Sequence, residues 1–433
     1  MTAVIIIGAL TAVGVTASVL KFPNIKIGKI KLDSYWVIAL IGAIFMLCFG
    51  GIGLKELLKE FTANTSVNPI KILVLFICMT ILSVFLDEVG FFSYLACKTL
   101  KLAKHSQKKL FIWLYIIVSI LTVFTSNDII VLTFTPFICH FAKNAKINPL
   151  PYLVTEFVAA NTMSMTLIIG NPTNIFIATS YGINFLQYFK VMILPTLACS
   201  LVAFLMLYLV FRKQLCKSIE YSQENAEIKN KPFLVIGLIL LAICVVVLAI
   251  GPYLGVEMYL VSLVAAVSLV VVIGALCIAK KHKPTEMLRT LKRAPWQLIP
   301  FVISMFIIIL SFNNHGVTEK LSLLLGNKNT IFTYGISSFL SANVINNIPM
   351  SVLFCNLISP LTGACQTGAI YATVIGSNVG AFLTPIGALA GIMWSGMLKK
   401  HEIKFSYAKF LKYGAIIAIP TIISGLLALN LVL

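Results

Sequence analysis

The chain has 433 residues, 59% of them hydrophobic and only 11% charged, with a mean hydropathy of +1.00. Those proportions exclude a soluble globular domain and describe a polytopic membrane protein. The formal net charge is +19, but the basic residues sit in short segments between apolar runs. That pattern sets nucleic-acid binding aside, because it needs a basic face on a soluble module.

A helix needs about 20 apolar residues to cross a hydrocarbon core roughly 30 Å thick. In chain order, hydrophobic runs predict ten spans, near 2–20, 35–54, 71–96, 152–180, 188–211, 232–251, 257–279, 297–313, 367–398 and 408–430. The first lacks a basic leading region and a cleavage site, so it reads as a retained span rather than a signal peptide. Two more apolar stretches, 109–142 and 329–359, are divided by Ser126-Asn127-Asp128 and by Asn343 through Asn347. Their arms are about 11–17 residues, roughly 17–25 Å of helix, which is short of a full crossing. Re-entrant hairpins are predicted there; two thin complete spans in each would preserve the same parity.

With that layout, 27 of the 33 Lys and Arg residues fall on one side, in 21–31, 98–109, 143–146, 212–231, 280–293 and 399–412. The positive-inside rule assigns that side to the cytoplasm and places both termini outside, in a multi-pass protein of the cell membrane. The expected fold is therefore all-α, with about ten transmembrane helices and two hairpins. Residues 1–211 form a first repeat whose hairpin (109–142) opens to the cytoplasm, and 212–231 form a cytoplasmic linker. Residues 232–433 form a second repeat whose hairpin (329–359) opens outside. Five spans per half is an odd number, so the second half enters the membrane inverted, the architecture of secondary transporters with a midplane site.

A polar constellation recurs in the same order in both halves. Asp87-Glu88-Val89-Gly90 closes one apolar run and Asn313-Asn314-His315-Gly316 another. Ser126-Asn127-Asp128 corresponds to Asn343 through Asn347, which carries Asn346 and Asn347. Asn161-Thr162, with Gly170-Asn171-Pro172-Thr173-Asn174, corresponds to Ser377-Asn378 with Thr384. The spacings nearly match: 34 residues from Asn127 to Asn161 and 32 from Asn346 to Asn378. Polar groups in hydrocarbon are costly, and two matching sets point to one site made of two halves. Helix N-termini after the hairpin tips offer unpaired N–H groups to a ligand, although the same residue types also serve as plain N-caps. Gly and Pro in 170–174 break a helix, which either exposes carbonyls and Asn and Thr oxygens to an ion or only kinks the packing.

An ionised acid in a span is expected to pair, bind a cation or take up a proton. Asp128, at the first tip, is the leading proton or cation carrier, and Asn347 is its neutral counterpart. Glu156 is expected to share its cavity, while Asp87 stands at a span end with coupling and interfacial roles both open. A Na⁺ site would draw on Asn127, Asp128, Asn174 and Asn378. Lys and Arg are absent beside these motifs, which favours a small neutral or singly charged substrate, or an anion accompanied by Na⁺. The ten cysteines are scattered without zinc or disulfide spacing, and no phosphate-binding GxxxxGK[ST] loop occurs, so no cofactor beyond a coupling H⁺ or Na⁺ is expected.

Leu86 through Phe92, Ser126-Asn127-Asp128 with Thr135-Pro136, Asn346 through Pro349, and Gly376 through Gly387 resemble the ion transporter superfamily. That superfamily includes arsenite-efflux permeases, related sodium/proton antiporters and divalent anion–sodium symporters. The run from Asn378 to Trp394 looks most like the arsenite branch, whereas Gly170-Asn171-Pro172-Thr173-Asn174 looks more like carboxylate and sodium-linked relatives. The resemblance implies ion-coupled transport at hairpin tips and broken spans. It also implies partners: a small ion or molecule as substrate, surrounding lipid, and, as in some relatives, a homodimer mate or a separate ATPase subunit. The first expectation is proton-coupled efflux of arsenite or antimonite. Sodium-coupled carboxylate or inorganic-anion uptake, and sodium/proton antiport, are the alternatives.

Overall fold

The computed structural model describes residues 2–433 except 23, 28, 29, 64–67, 104, 105, 217, 218, 220–226 and 282. The 212–231 linker therefore lies partly outside the described residues.

Helix α1 (Thr2–Lys21) leads through a short antiparallel pair, β1 (Asn24–Ile27) and β2 (Ile30–Asp33), to α2 (Ser34–Cys48) and the short amphipathic α3 (Leu54–Thr62). Asn68 then starts α4 (Pro69–Glu88): its side chain accepts from Ile70 N–H at 2.8 Å, and Pro69 supplies the preset φ of a first helical position. Gly90, with φ of +90°, turns the chain sharply into α5 (Phe91–Ala103). The first hairpin is α6 (Gln107–Phe124) and α7 (Asn127–Asn144). After it come α8 (Leu150–Met163), two turns of 3₁₀ helix over 164–170, and α9 (Pro172–Ser180). A reciprocal Asn184–Gln187 capping box opens the long α10 (Phe185–Phe211).

The second half runs through α11 (Lys231–Ile250), α12 (Met258–Ala279), the amphipathic α13 (Thr285–Arg293), α14 (Leu298–Asn314) and α15 (Val317–Leu325). The second hairpin is α16 (Thr330–Ile345) and α17 (Asn347–Ile358). A broken pair, α18 (Gly363–Gly380) and α19 (Leu389–Lys400), precedes α20 (Tyr407–Val432).

Elements from the two halves interleave. Helix α2 packs on α14 and α12 on α4; arm α7 packs on α19 and arm α17 on α9; α10 lies along α20. Separating the halves would expose the apolar faces of all these pairs. On the outer helices, Leu194, Leu197, Leu201 and Leu205 of α10 and Ile239, Ile243, Val246 and Ile250 of α11 are exposed at spacings of three or four residues. Such stripes are left for lipid to cover.

Seven segments among the described residues are long and apolar enough to cross a membrane, against the ten spans expected. The difference has local causes. The 152–180 and 367–398 runs are each interrupted mid-course, and 2–20 and 35–54 fall among the shorter apolar helices, the latter as the 15 residues of α2; 71–96 still counts, as α4, although it ends at the Gly90 corner. The first hairpin's arms, at 18 residues each, exceed the expected length, and α6 itself counts among the seven segments. Ser106 caps α6 through the Lys109 N–H, so polar residues before the apolar run are wound into the helix. The β1–β2 pair was also unforeseen.

Candidate functional site

The two broken helices meet at their interruptions, and Asn378 is the junction. Its Nδ2 donates to Asn174 Oδ1 at 2.7 Å and to Val374 O at 2.8 Å, and its Oδ1 accepts from Ser164 Oγ at 2.9 Å and Asn171 Nδ2 at 3.1 Å. Asn161 makes the same bond to its own helix, Nδ2 to Phe157 O at 2.8 Å, so each broken helix carries an asparagine tied back one turn. Ser377 Oγ donates to Thr173 Oγ1 at 3.0 Å. Asn161, Thr162, Thr173, Asn174, Ser377 and Asn378 are all fully buried. At that depth an unmade hydrogen bond costs about 1–3 kcal/mol, which is why the network is so densely connected.

Local chemistry explains each break. Asn171 caps α9, its Oδ1 accepting from Thr173 N–H at 3.1 Å, and Pro172 occupies the first helical position, where its missing donor costs nothing. Gly170 lies against the Ser164 backbone, where a β-carbon would have Ser164 C 2.8 Å away, so no side chain is admitted. Asn174 Nδ2 completes the turn by donating to Ser164 O at 2.8 Å. In the second half Gly387 serves similarly: a β-carbon there would meet Asn343 Oδ1 at 2.9 Å, and its carbonyl accepts from Asn347 N–H at 3.1 Å.

The hairpin tips differ. At the second, Asn346 (φ +70°) accepts from Ile348 N–H at 3.3 Å and donates to Ile386 O at 2.9 Å. Nearby, Asn343 donates to Gly380 O at 3.1 Å and accepts from Thr384 Oγ1 at 2.7 Å. Capping and packing account for those side chains. At the first tip they do not. Ser126 precedes α7 but makes no side-chain cap bond, and Asn127, the first residue of that helix, uses only its Nδ2, on Asn161 Oδ1 at 3.0 Å. Ser126 Oγ, Asn127 Oδ1 and Thr162 Oγ1 are buried with no hydrogen-bond partner among the described residues. The Asn127–Asn161 bond ties the first tip to α8, where Thr162 is the next residue, and each of the three oxygens can accept from, or coordinate, a ligand.

Asp128 follows directly. It lines a cavity of about 410 Å³ with Thr80 of α4, Leu132 of α7, Met393 of α19 and, from the segments preceding α2 and α14, Asp33, Lys292, Arg293 and Gln297. The Thr80 hydroxyl, too, lacks a partner among the described residues. Asp33 stands just ahead of α2; burial raises its carboxyl above the ordinary carboxylate range, and a side-chain bond from Gln297 partly counters this.

The other expected acids lie elsewhere. Glu156 is fully buried behind α7, where Thr135 Oγ1 donates to both its oxygens at 3.1 and 3.2 Å, and it does not line the cavity it was expected to share. Asp87 accepts from Thr133 Oγ1 at 2.8 Å and pairs with Arg293 at 2.7 Å. The expectation that no Arg approaches these motifs therefore fails, because a residue 206 positions away in sequence folds onto them. Of the four residues considered for Na⁺, Asn174 and Asn378 have their amide oxygens engaged, while Asn127 Oδ1 has no partner among the described residues and Asp128 lines the cavity.

Sequence reasoning passed over Ser164, Thr133 and Arg293. Ser164, three residues after Asn161, could have been noticed as a small polar residue in the same run. Arg293 could not, since its basic segment was already explained by topology.

Residues 31–375 match the family model described as citrate transporter, CitMHS. The chain belongs to this family. Among its relatives, the arsenical pump membrane protein of Escherichia coli K12 is 29% identical over 82% of this chain and 85% of its own length. That of Yersinia enterocolitica is 30% identical over the same shares, and a putative arsenical pump membrane protein of Bacillus subtilis is 26% identical over 90% and 93%. The crystal structure of the Alcanivorax borkumensis YdaH transporter covers 99% of this chain and 98% of its own, with a TM-score of 0.55 at 13% identity, a likeness of fold. The chain is thus a membrane transporter in the ion transporter superfamily.

Proposed function

We propose that this protein is a proton-coupled secondary transporter that exports arsenite, antimonite or a similar small oxyacid. The observation that carries this reading is the first hairpin tip: Ser126 Oγ and Asn127 Oδ1, buried neutral oxygens without a partner among the described residues, directly precede Asp128, which lines a cavity. Arsenite near neutral pH is an uncharged trihydroxide, a hydrogen-bond donor well suited to acceptors such as Ser126 Oγ, Asn127 Oδ1 and Thr162 Oγ1. A multiply charged carboxylate would want cations there, and Arg293 is already committed to Asp87 and Glu88. Asp128 gains a proton from one face and loses it to the other as the cavity alternates. The two halves act as an inverted repeat with termini outside, and the interleaved packing lets hairpin-bearing parts move against the rest.

The test is flux in proteoliposomes with arsenite, citrate, succinate, sulfate and Na⁺ under separately imposed pH and sodium gradients. Arsenite movement should follow the proton gradient; movement indifferent to it removes the reading. Sodium-coupled carboxylate uptake is the second reading. The family's description favours it, as does Lys292 on the cavity wall, and sodium-driven citrate accumulation would establish it.

A further inference from the structure

The corner where α4 ends is tied to three other parts of the chain. Arg293, the last residue of α13, reaches Asp87 at 2.7 Å through one terminal nitrogen and Glu88 at 2.5 Å through the other. Thr133, on the hairpin arm α7, donates to the same Asp87 carboxylate at 2.8 Å. Lys229, just ahead of α11, donates its ammonium to Glu88 O at 3.0 Å and its N–H to Val89 O at 3.1 Å. Asp87 is thus shared between a guanidinium on one side and the hairpin on the other, and both acids are largely buried while the arginine is partly exposed.

The corresponding corner at the end of α14 is built differently. Asn314 Nδ2 donates to Glu56 of α3 at 2.9 Å, and Asn313 Oδ1 accepts from Thr318 of α15 at 2.8 Å. Both amides are neutral, and among the described residues no hairpin side chain joins that corner. One hairpin is therefore clamped by a charge network and the other is not.

We propose that Asp87 and Arg293 are positioning residues for transport. Through Thr133 they fix the first hairpin arm so that Asp128, five residues earlier on the same helix, stays presented to the cavity. Asp87 is then an anchor rather than a carrier of the coupling ion. The bridging arginine matters because its planar fork sends one charge-assisted bond to each of two carboxylates in fixed directions, which a lysine's point charge does not. The inference rests on the transport reading for its flux arm only.

The experiment places a reporter on Leu132, which lines the cavity beside Asp128. Leu132→Cys is made in the full-length protein, and its labelling by a small polar maleimide is followed on the peptide containing residue 132. Thr133→Val, Asp87→Asn and Arg293→Gln should each change that rate about tenfold, the population change for a lost charge-assisted bond. Thr133→Ser, which keeps the donor, should restore it. In proteoliposomes loaded with arsenite the same three variants should lower Vmax with little change in KM. Unchanged labelling in all three variants overturns the inference even if flux is lost. Normal labelling in Asp87→Asn with loss of proton coupling alone would instead make Asp87 a carrier. Changed labelling in the variants, when the Leu132→Cys parent and the wild type both move no arsenite, supports the clamp while removing the arsenite reading. Thermal melting of Thr133→Ser and Thr133→Val, folded alike, separates positioning from general destabilisation.

Discussion

Asn378 Nδ2 donates to Asn174 Oδ1 at 2.7 Å, joining two broken helices 204 residues apart. The amide oxygen of Asn378 simultaneously accepts from Ser164 and Asn171, so one side chain satisfies three others. Asn378→Ala should lower stability by about 1–3 kcal/mol, because the partners left behind are buried and dry. Thermal melting in detergent reads the loss, and proteoliposome flux should fall with it; an unchanged melt would show that water can replace the amide.

Asp128→Asn should behave in the opposite way. The carboxylate has no hydrogen bond or ion pair with another described residue, so the substitution breaks no contact and stability should not fall. Uphill, gradient-driven transport should disappear while downhill exchange persists. Wild-type accumulation in this variant would rule Asp128 out as the carrier.

Gly170→Ala should cost about 1–3 kcal/mol, since the added methyl meets the Ser164 backbone, which cannot swing away as a side chain could. Gly274 provides the control. It lies inside α12 with nothing within 4 Å of its would-be β-carbon, so Gly274→Ala should be stabilising by about 0.5–1 kcal/mol. Paired melting curves decide both, and equal effects would refute the close approach at residue 170.

Asp33 is harder to ionise folded than unfolded, because burial raises its carboxyl above the 3.8 of a free aspartate. The folded state therefore holds this proton more tightly, and the resulting stabilisation is present at low pH and lost as pH rises through the folded value. Asp33→Asn should melt higher than wild type at neutral pH, with the gap closing as pH falls towards 3.8. A gap independent of pH would place the effect elsewhere than in this proton.

The basic segments imply, by the positive-inside rule, an orientation that accessibility can check. Glu402 is exposed in the turn after α19, between Lys400 and Lys404. A cysteine at 402 should react with a membrane-permeant maleimide in intact cells and resist an impermeant one; labelling by both from outside would invert the layout.

Much of this protein is legible in one dimension. Long apolar runs separated by lysine-rich segments determine that it is a helical membrane protein, because continuous runs of about 20 apolar residues satisfy their own backbone in hydrocarbon as helices, whereas barrel strands are shorter and alternate. The doubled Asn, Ser and Gly motifs marked the helix breaks and hairpin tips for a similar reason: polar atoms and helix-breaking residues survive at that depth only where something answers them. Residue chemistry alone could not say which oxygens were answered. The tips at Asn127 and Asn346 read alike, yet Asn346 caps and packs its own helix whereas Ser126, Asn127 and Thr162 keep acceptors without a partner among the described residues. Nor could it separate the acids, since Asp87, Asp128 and Glu156 differ in what folds against them: an arginine from α13, an open cavity, and a threonine in a sealed core. Local composition determined where polar groups lie along the chain. Which of them remain available was decided by tertiary contacts, from Thr135 on Glu156 to Arg293 on Asp87, which are invisible until the helices pack.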